Sequence, residues 1–181
     1  MLKIDQPILV DNILPSNENK NLLNILATKH YYIASDDYSN AYLTAYDNKT
    51  PHVGFCFCLY DEIDERFKKF NLNDPLSIYV RIITSIILDK TKFTNPKSFS
   101  RIHCNYYLKN QKGILHKDRE EDNFLSIVYT PLETDGGTMI NDIFYKDVMG
   151  QAKVFKSNWN HKGVSCKENK ARSSINIILK Y

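Results

Sequence analysis

The chain has 181 residues, 43% of them hydrophobic and 25% charged, with a formal net charge of +3. That length suits one domain with a proper core and is too short for two ordinary ones, and the balance excludes a disordered chain. The basic excess is too small to signal a polyanionic partner, so nucleic acid is not expected, and no apolar run approaches the roughly 20 residues that cross a bilayer.

The opening Met-Leu-Lys-Ile-Asp carries no apolar leader, which predicts a cytoplasmic protein with no membrane partner whose four cysteines (Cys56, Cys58, Cys104, Cys166) stay reduced. Ile8-Leu9-Val10 reads as a short strand. Pro15-Ser16 offers an N-cap at Ser16, and Leu22, Leu23, Ile25 and Leu26 form the apolar stripe of a helix ending near His30. Strand-like fragments follow at Tyr31–Ile33, Tyr42–Thr44 and Val53–Leu59. Asp74-Pro75 then opens a second helix, Asp74 as cap and Pro75 at the first position, with Ile78, Val80, Ile82, Ile83, Ile86, Ile87 and Leu88 making it strongly apolar.

From Ser98 onward the pattern changes to short strands at close intervals: Ser100–Leu108, Phe124–Pro131, Thr138–Asn141, Ile143–Lys146, Lys153–Ser157, Lys162–Cys166 and Arg172–Leu179. Turn residues separate them, among them Asn110 and Gly113, Asp135-Gly136-Gly137, and Gly150. Helices first and a closed sheet afterwards predict an α+β chain, a single domain over 1–181, whose chemistry sits in its C-terminal half.

The candidate chemistry starts at His116-Lys117-Asp118. Residues i and i+2 of an extended segment share a face, so one imidazole and one carboxylate can hold a metal together. Alone the pattern is weak and fits a surface histidine beside a charged run. His161 follows at the end of a strand and can supply a third ligand, and two histidines with one carboxylate are the facial triad of non-haem Fe(II) oxygenases. Arg172 opens the last strand, with Ser174 facing the same way; a guanidinium and a hydroxyl there can clamp a carboxylate. A co-substrate that chelates iron at one end and offers a carboxylate at the other is 2-oxoglutarate.

Taken in order, His116-x-Asp118, His161 and Arg172-x-Ser174 resemble the Fe(II)/2-oxoglutarate-dependent dioxygenases, most of all the prolyl-4-hydroxylase-like branch and its small phage and bacterial relatives. Tyr107 ahead of the metal motif, Ile127-Val128-Tyr129 and Gly136-Gly137-Thr138 extend the likeness, as does the lead-in Val10 to Pro15. The match is good from about Ser98 onward and thin before it. Asn110 stands where the family often has glycine, and Ile178 stands where the nucleic-acid demethylase branch has a second arginine.

What the resemblance implies is a double-stranded β-helix (a jelly roll) over 98–181, with N-terminal helices packed on one sheet and residues 1–97 as support. His116, Asp118 and His161 would hold Fe(II); Arg172 would hold the distal carboxylate of 2-oxoglutarate, with Ser174, Tyr107, Tyr129 and Asn105 assisting. O2 is the second co-substrate, and the family allows ascorbate as an accessory. The implied activity is hydroxylation of an unactivated C–H bond on a peptide or protein side chain, prolyl-hydroxylase-like, with a free amino acid or other small molecule as the alternative substrate and a non-catalytic β-sandwich binding module as the rival reading. Alternation puts Arg172, Ser174 and Asn176 inside the barrel and Ser173, Ile175, Ile177 and Leu179 against the helices. Cys56-x-Cys58 lacks a companion pair for zinc, and His30, His52 and His103 read as structural or surface residues.

Overall fold

The computed structural model describes residues 4–33, 54–111, 113–169 and 171–181. The predicted strand at Tyr42–Thr44 and His52 lie outside them.

Strand β1 (Ile8–Val10) leads into helix α1 (Ser16–Ala27). Pro15, not Ser16, takes the cap position, and no side chain caps it; Ser16 is the first helical residue. The proline ring fixes φ at −59°, and its carbonyl accepts the first helical bond, from the Asn19 N–H at 3.0 Å. The helix stops at Ala27, short of His30, where the Thr28 hydroxyl folds back to donate to the Ile25 carbonyl at 2.8 Å.

After β2 (Tyr32–Ile33) and β3 (Gly54–Asp61) comes helix α2 (Pro75–Thr91), built as its sequence predicts. The Asp74 carboxylate accepts from the Leu76 N–H at 2.8 Å, and Pro75 needs no partner in the first turn. Its apolar residues divide between two faces: Leu76, Val80, Ile83 and Ile87 are buried, whereas Ile78 and Ile82 are exposed.

The remaining strands are β4 (Ser98–Leu108), β5 (Phe124–Thr130), β6 (Gly137–Ile140), β7 (Ile143–Lys146), β8 (Gln151–Lys156), β9 (His161–Val164) and β10 (Ala171–Lys180). They form two antiparallel sheets. One has seven strands in the order β1-β8-β5-β10-β4-β3-β2; the other has three, β7-β6-β9. The β6–β7 hairpin turns on Asn141 and Asp142, both left-handed at φ 45° and 64°, which is the primed turn that matches strand twist. Asn110 is left-handed as well (φ 63°), so the turn survives where the resembling family carries glycine.

Two apolar clusters hold these layers. The larger joins Leu22 and Leu26 of α1 and the buried face of α2 to Ile102, Leu125, Ile127, Tyr129, Val154, Ile175 and Ile177 of the wide sheet. Each such side chain contributes about 1.5–3 kcal/mol on burial, so this face outweighs any single helix cap. The smaller gathers Val128, Ile140 and Phe155, with Tyr145 and Trp159 against them. Strand β5 is buried along its whole length because both its faces are covered.

Candidate metal centre

The start of β9 and the segment between β4 and β5 converge at the edge of the three-stranded sheet. The chain before β5 runs beside β9, where His116 forms an isolated antiparallel bridge with His161. Asp118 is pinned in turn by its N–H donating to the Ser157 carbonyl at 2.9 Å. One ligand atom from each of His116, Asp118 and His161 lies within 4.8 Å of the others. The predicted trio is therefore brought together, with His161 Nε2 3.3 Å and His116 Nε2 3.7 Å from the Asp118 carboxylate.

Both rings have their other nitrogen committed. His116 Nδ1 lies 2.8 Å from the Ile114 carbonyl and His161 Nδ1 3.0 Å from the Trp159 carbonyl. A carbonyl only accepts, so each Nδ1 carries the proton and each Nε2 faces Asp118 with a free lone pair once the ring is neutral. Burial would lower the His161 pKa, but Asp118 beside it raises it above the usual histidine value.

Asp118 is itself held by three side chains. Ser126 Oγ donates at 2.6 Å, Asn176 Nδ2 at 3.2 Å, and Arg101 pairs with it through Nη2. Burial alone would raise its pKa; the charges of His161 and Arg101 and the hydrogen bonds from His116 and His161 outweigh that and hold the carboxyl well below the ordinary range. It stays an anionic donor. Arg101 and Ser126 carry no motif that marks them for the site, and the alternation of β10 places Asn176 inside the barrel without a role. Period-2 alternation along β4 and β5 was the one signal that could have found the first two.

His116 and His161 line a cavity of about 310 Å³ that runs along β4 past Arg101, His103, Asn105 and Tyr107 to Arg172, Ser174, Thr138 and Gly163. Asn105, Tyr107, Ser174 and Arg172 thus all reach it. Tyr129 does not, and this corrects its expected role. Its hydroxyl donates to Asn19 Oδ1 of α1, and its ring belongs to the cluster beneath the helices. Tyr129 shares the β5 face of Leu125 and Ile127, and that face meets the helices; its neighbour Val128 lines the cavity instead.

Arg172, 2% exposed, is also less free than its sequence suggests. Its Nε donates to Asp147 Oδ2 at 2.6 Å and its Nη2 to Thr138 Oγ1 at 3.0 Å, and the guanidinium lies over the Tyr107 ring, 5.6 Å from its centroid. Asp147 also pairs with Lys153 at 3.0 Å. Burial would raise the Asp147 carboxyl, yet Arg172 and Lys153 hold it below the ordinary range. Neither Asp147 nor Lys153 carried a motif.

The residues present fit both groups that the resemblance implies. Two neutral nitrogen donors and an ionised oxygen donor are the ligand set of a non-haem Fe(II) site. Toward Arg172, Asn105, Tyr107 and Ser174 make no side-chain hydrogen bond among the described residues and so offer polar groups to an occupant. Beside Asp118, Asn176 Oδ1 is buried without a partner, which costs about 1–3 kcal/mol unless a polar group meets it. Among the described residues no helix is long and apolar enough to cross a membrane.

No family model matches the chain, and no curated protein does. Solved structures do match. A prolyl-4-hydroxylase from Pseudomonas putida is 15% identical with a TM-score of 0.61, over 97% of this chain and 92% of that one. An oxidoreductase of the 2OG-Fe(II) oxygenase family from Burkholderia pseudomallei is 16% identical with a TM-score of 0.68, over 96% and 84%. The collagen prolyl hydroxylase of Paramecium bursaria Chlorella virus-1 is 13% identical with a TM-score of 0.58, over 100% and 98%. The chain has the fold of the 2OG-Fe(II) oxygenases. Within that class, the structures it resembles include prolyl hydroxylases of bacterial and viral origin.

Proposed function

We propose that this protein is an Fe(II)- and 2-oxoglutarate-dependent dioxygenase that hydroxylates an unactivated C–H bond on a peptide or protein side chain. The observation that carries this is the convergence of His116, Asp118 and His161, with Arg172 at the other end of one cavity. On this reading the two sheets are the halves of a double-stranded β-helix formed by 98–181, residues 1–97 support it, and the whole chain serves as one catalytic domain.

His116, Asp118 and His161 would hold the metal, and the cavity lined by the two histidines would admit the co-substrate and O2. Bound iron supplies oxidative chemistry, coupling O2 to decarboxylation of 2-oxoglutarate to succinate and CO2. The protein's own part is to orient and to shield. Arg101 keeps Asp118 ionised, Ser126 and Asn176 orient it, and the Ile114 and Trp159 carbonyls keep both imidazoles turned inward. Arg172, Tyr107, Ser174 and Asn105 offer donors to the distal carboxylate. His103, whose pKa burial pushes well below the usual histidine value, stays neutral in the wall.

Prolyl hydroxylases among the similar structures favour a peptide substrate. A small-molecule substrate is the second reading, favoured by a structure of the same fold, 8% identical, that holds nickel, 2-oxoglutarate and hygromycin B. The test is succinate formation from 2-oxoglutarate, with and without a peptide panel, in wild type and Asp118→Ala. Turnover in the wild type that the variant abolishes supports the class, and stimulation by a peptide supports the substrate. No turnover by iron-loaded, folded wild type with any candidate overturns the reading.

A further inference from the structure

We propose that the distal acid of the co-substrate is read by a buried three-residue relay, Lys153–Asp147–Arg172, in which Asp147 aims the guanidinium and Lys153 sets the charge of the subsite. This rests on the reading above that a 2-oxo diacid occupies the cavity, and it adds two residues that never touch that ligand.

The aim follows from the hydrogen bonds of Arg172. A guanidinium carries five N–H donors in a rigid plane. Asp147 takes Nε at 2.6 Å and reaches Nη2 at 3.5 Å, and Thr138 accepts from Nη2 at 3.0 Å. Among the described residues Nη1 has no hydrogen bond. It lies beside Gly163, where a β-carbon would stand 3.1 Å from it. Asp147 therefore fixes the plane from behind and leaves Nη1 as the nitrogen available to a ligand.

The charge follows from burial. The Arg172 side chain is 2% exposed, and those of Asp147 and Lys153 are 0% exposed. One arginine and one aspartate alone would form a neutral pair with little reason to recruit an anion. Lys153 is held at 3.0 Å from Asp147 and 3.3 Å from Thr130 Oγ1, and it makes the buried set net positive by one. A buried cation without a counter-charge is costly, and one carboxylate on Nη1 balances it.

Two strands and one loop build the relay. Lys153 stands on β8 opposite Val128 of β5, Arg172 stands on β10, and Asp147 follows β7 with its N–H donating to the Gly136 carbonyl at 2.9 Å. Asp147 and Lys153 are thus positioning residues, and the ligand class they select is a 2-oxo acid with exactly one further carboxylate, over a 2-oxo monoacid.

The test compares 2-oxoglutarate with pyruvate, which has the same 2-oxo acid end and no distal acid. Calorimetry on nickel-loaded protein reads binding without turnover. Lys153→Met, of similar length, should weaken 2-oxoglutarate by about tenfold or more and leave pyruvate unchanged, an effect of the size that outer-shell partners exert. Unchanged 2-oxoglutarate affinity in folded Lys153→Met overturns the relay and leaves the proposed function standing, as does equal weakening of both ligands, which makes Lys153 a structural strut. If the variant does not fold, the wild type decides: its preference for 2-oxoglutarate over pyruvate should persist in 1 M salt, roughly where the screening length falls to 3 Å, because buried charges are little screened. Loss of the preference there overturns the relay. Wild type that binds neither ligand overturns the proposed function itself.

Discussion

His116 and His161 exchange both backbone hydrogen bonds, N–H to carbonyl at 2.9 Å one way and 2.8 Å the other, and their rings lie 4.3 Å apart. Two residues from distant parts of the chain are thus placed by main chain alone. A metal held here as proposed would find both imidazole nitrogens already in position.

His116→Ala should therefore lose the metal and keep the structure. The ring is partly exposed, and the bridge needs only the backbone. Calorimetry with Ni(II) or anaerobic Fe(II) should show at least about 100-fold weaker binding, since a ligand counts for more than its outer-shell partners, while circular dichroism and Tm stay near wild type. Metal bound as tightly as before would remove His116 from the site.

The glycine pair behind the cavity gives two contrasting outcomes. A β-carbon on Gly113 would overlap the Gly163 carbonyl, so Gly113→Ala must move backbone and should lower urea stability by about 1–3 kcal/mol. At Gly163 the contacts are softer, 3.1 Å to Arg172 Nη1 and 3.3 Å to the Tyr107 ring, but Asp147 keeps the guanidinium from retreating. Gly163→Ala should weaken 2-oxoglutarate by about tenfold, the equivalent of 1.4 kcal/mol, with metal affinity unchanged.

Tyr129 separates the fold from the site. Tyr129→Phe leaves the buried Asn19 Oδ1 without its donor and should cost about 1–3 kcal/mol in denaturant unfolding. The affinity for 2-oxoglutarate should not change. A shift in that affinity would return the tyrosine to the cavity.

Acid should loosen the loop that leads into β10. The Asp135 carboxylate accepts from the N–H groups of Lys167, Glu168 and Asn169 at 2.7, 2.9 and 3.1 Å, and the Glu168 bond first, then the others, pull its pKa from 3.8 to about 2. A depressed folded-state pKa gives stability that is present above the unfolded value and lost as pH falls through the folded one. Asp147 adds to the loss in the same direction. Between about pH 4 and pH 2 the wild type should lose Tm more steeply than Asp135→Asn, and equal slopes would show that the clamp carries no pH dependence.

The convergence of His116, Asp118 and His161, the place of Arg172 on the cavity and nearly every strand from β4 onward are legible in the sequence, because residue chemistry and period-2 alternation are local signals. What alternation does not say is which face of a strand looks inward. On β10 the polar Arg172, Ser174 and Asn176 mark the inward face; on β5 the family resemblance assigns Tyr129 an assisting role, although it shares the face of Leu125 and Ile127 that meets the helices, and Ser126 and Val128 hold the other. Asp147 and Lys153 were illegible for another reason. Each reads as an ordinary surface charge, and although they lie six residues apart, only the folding of β10 with Arg172 over them makes them a buried pair. The Ser16 cap failed because a proline with a preset φ can open a helix without a side-chain oxygen.

The carbonyl of Trp159 fixes the tautomer of His161, and its ring packs against both apolar clusters. It is also the only tryptophan in the chain. Its emission is therefore a built-in optical gauge of the centre two residues away: a paramagnetic ion settling there dims the single fluorophore with no label attached, while a zinc control leaves it bright.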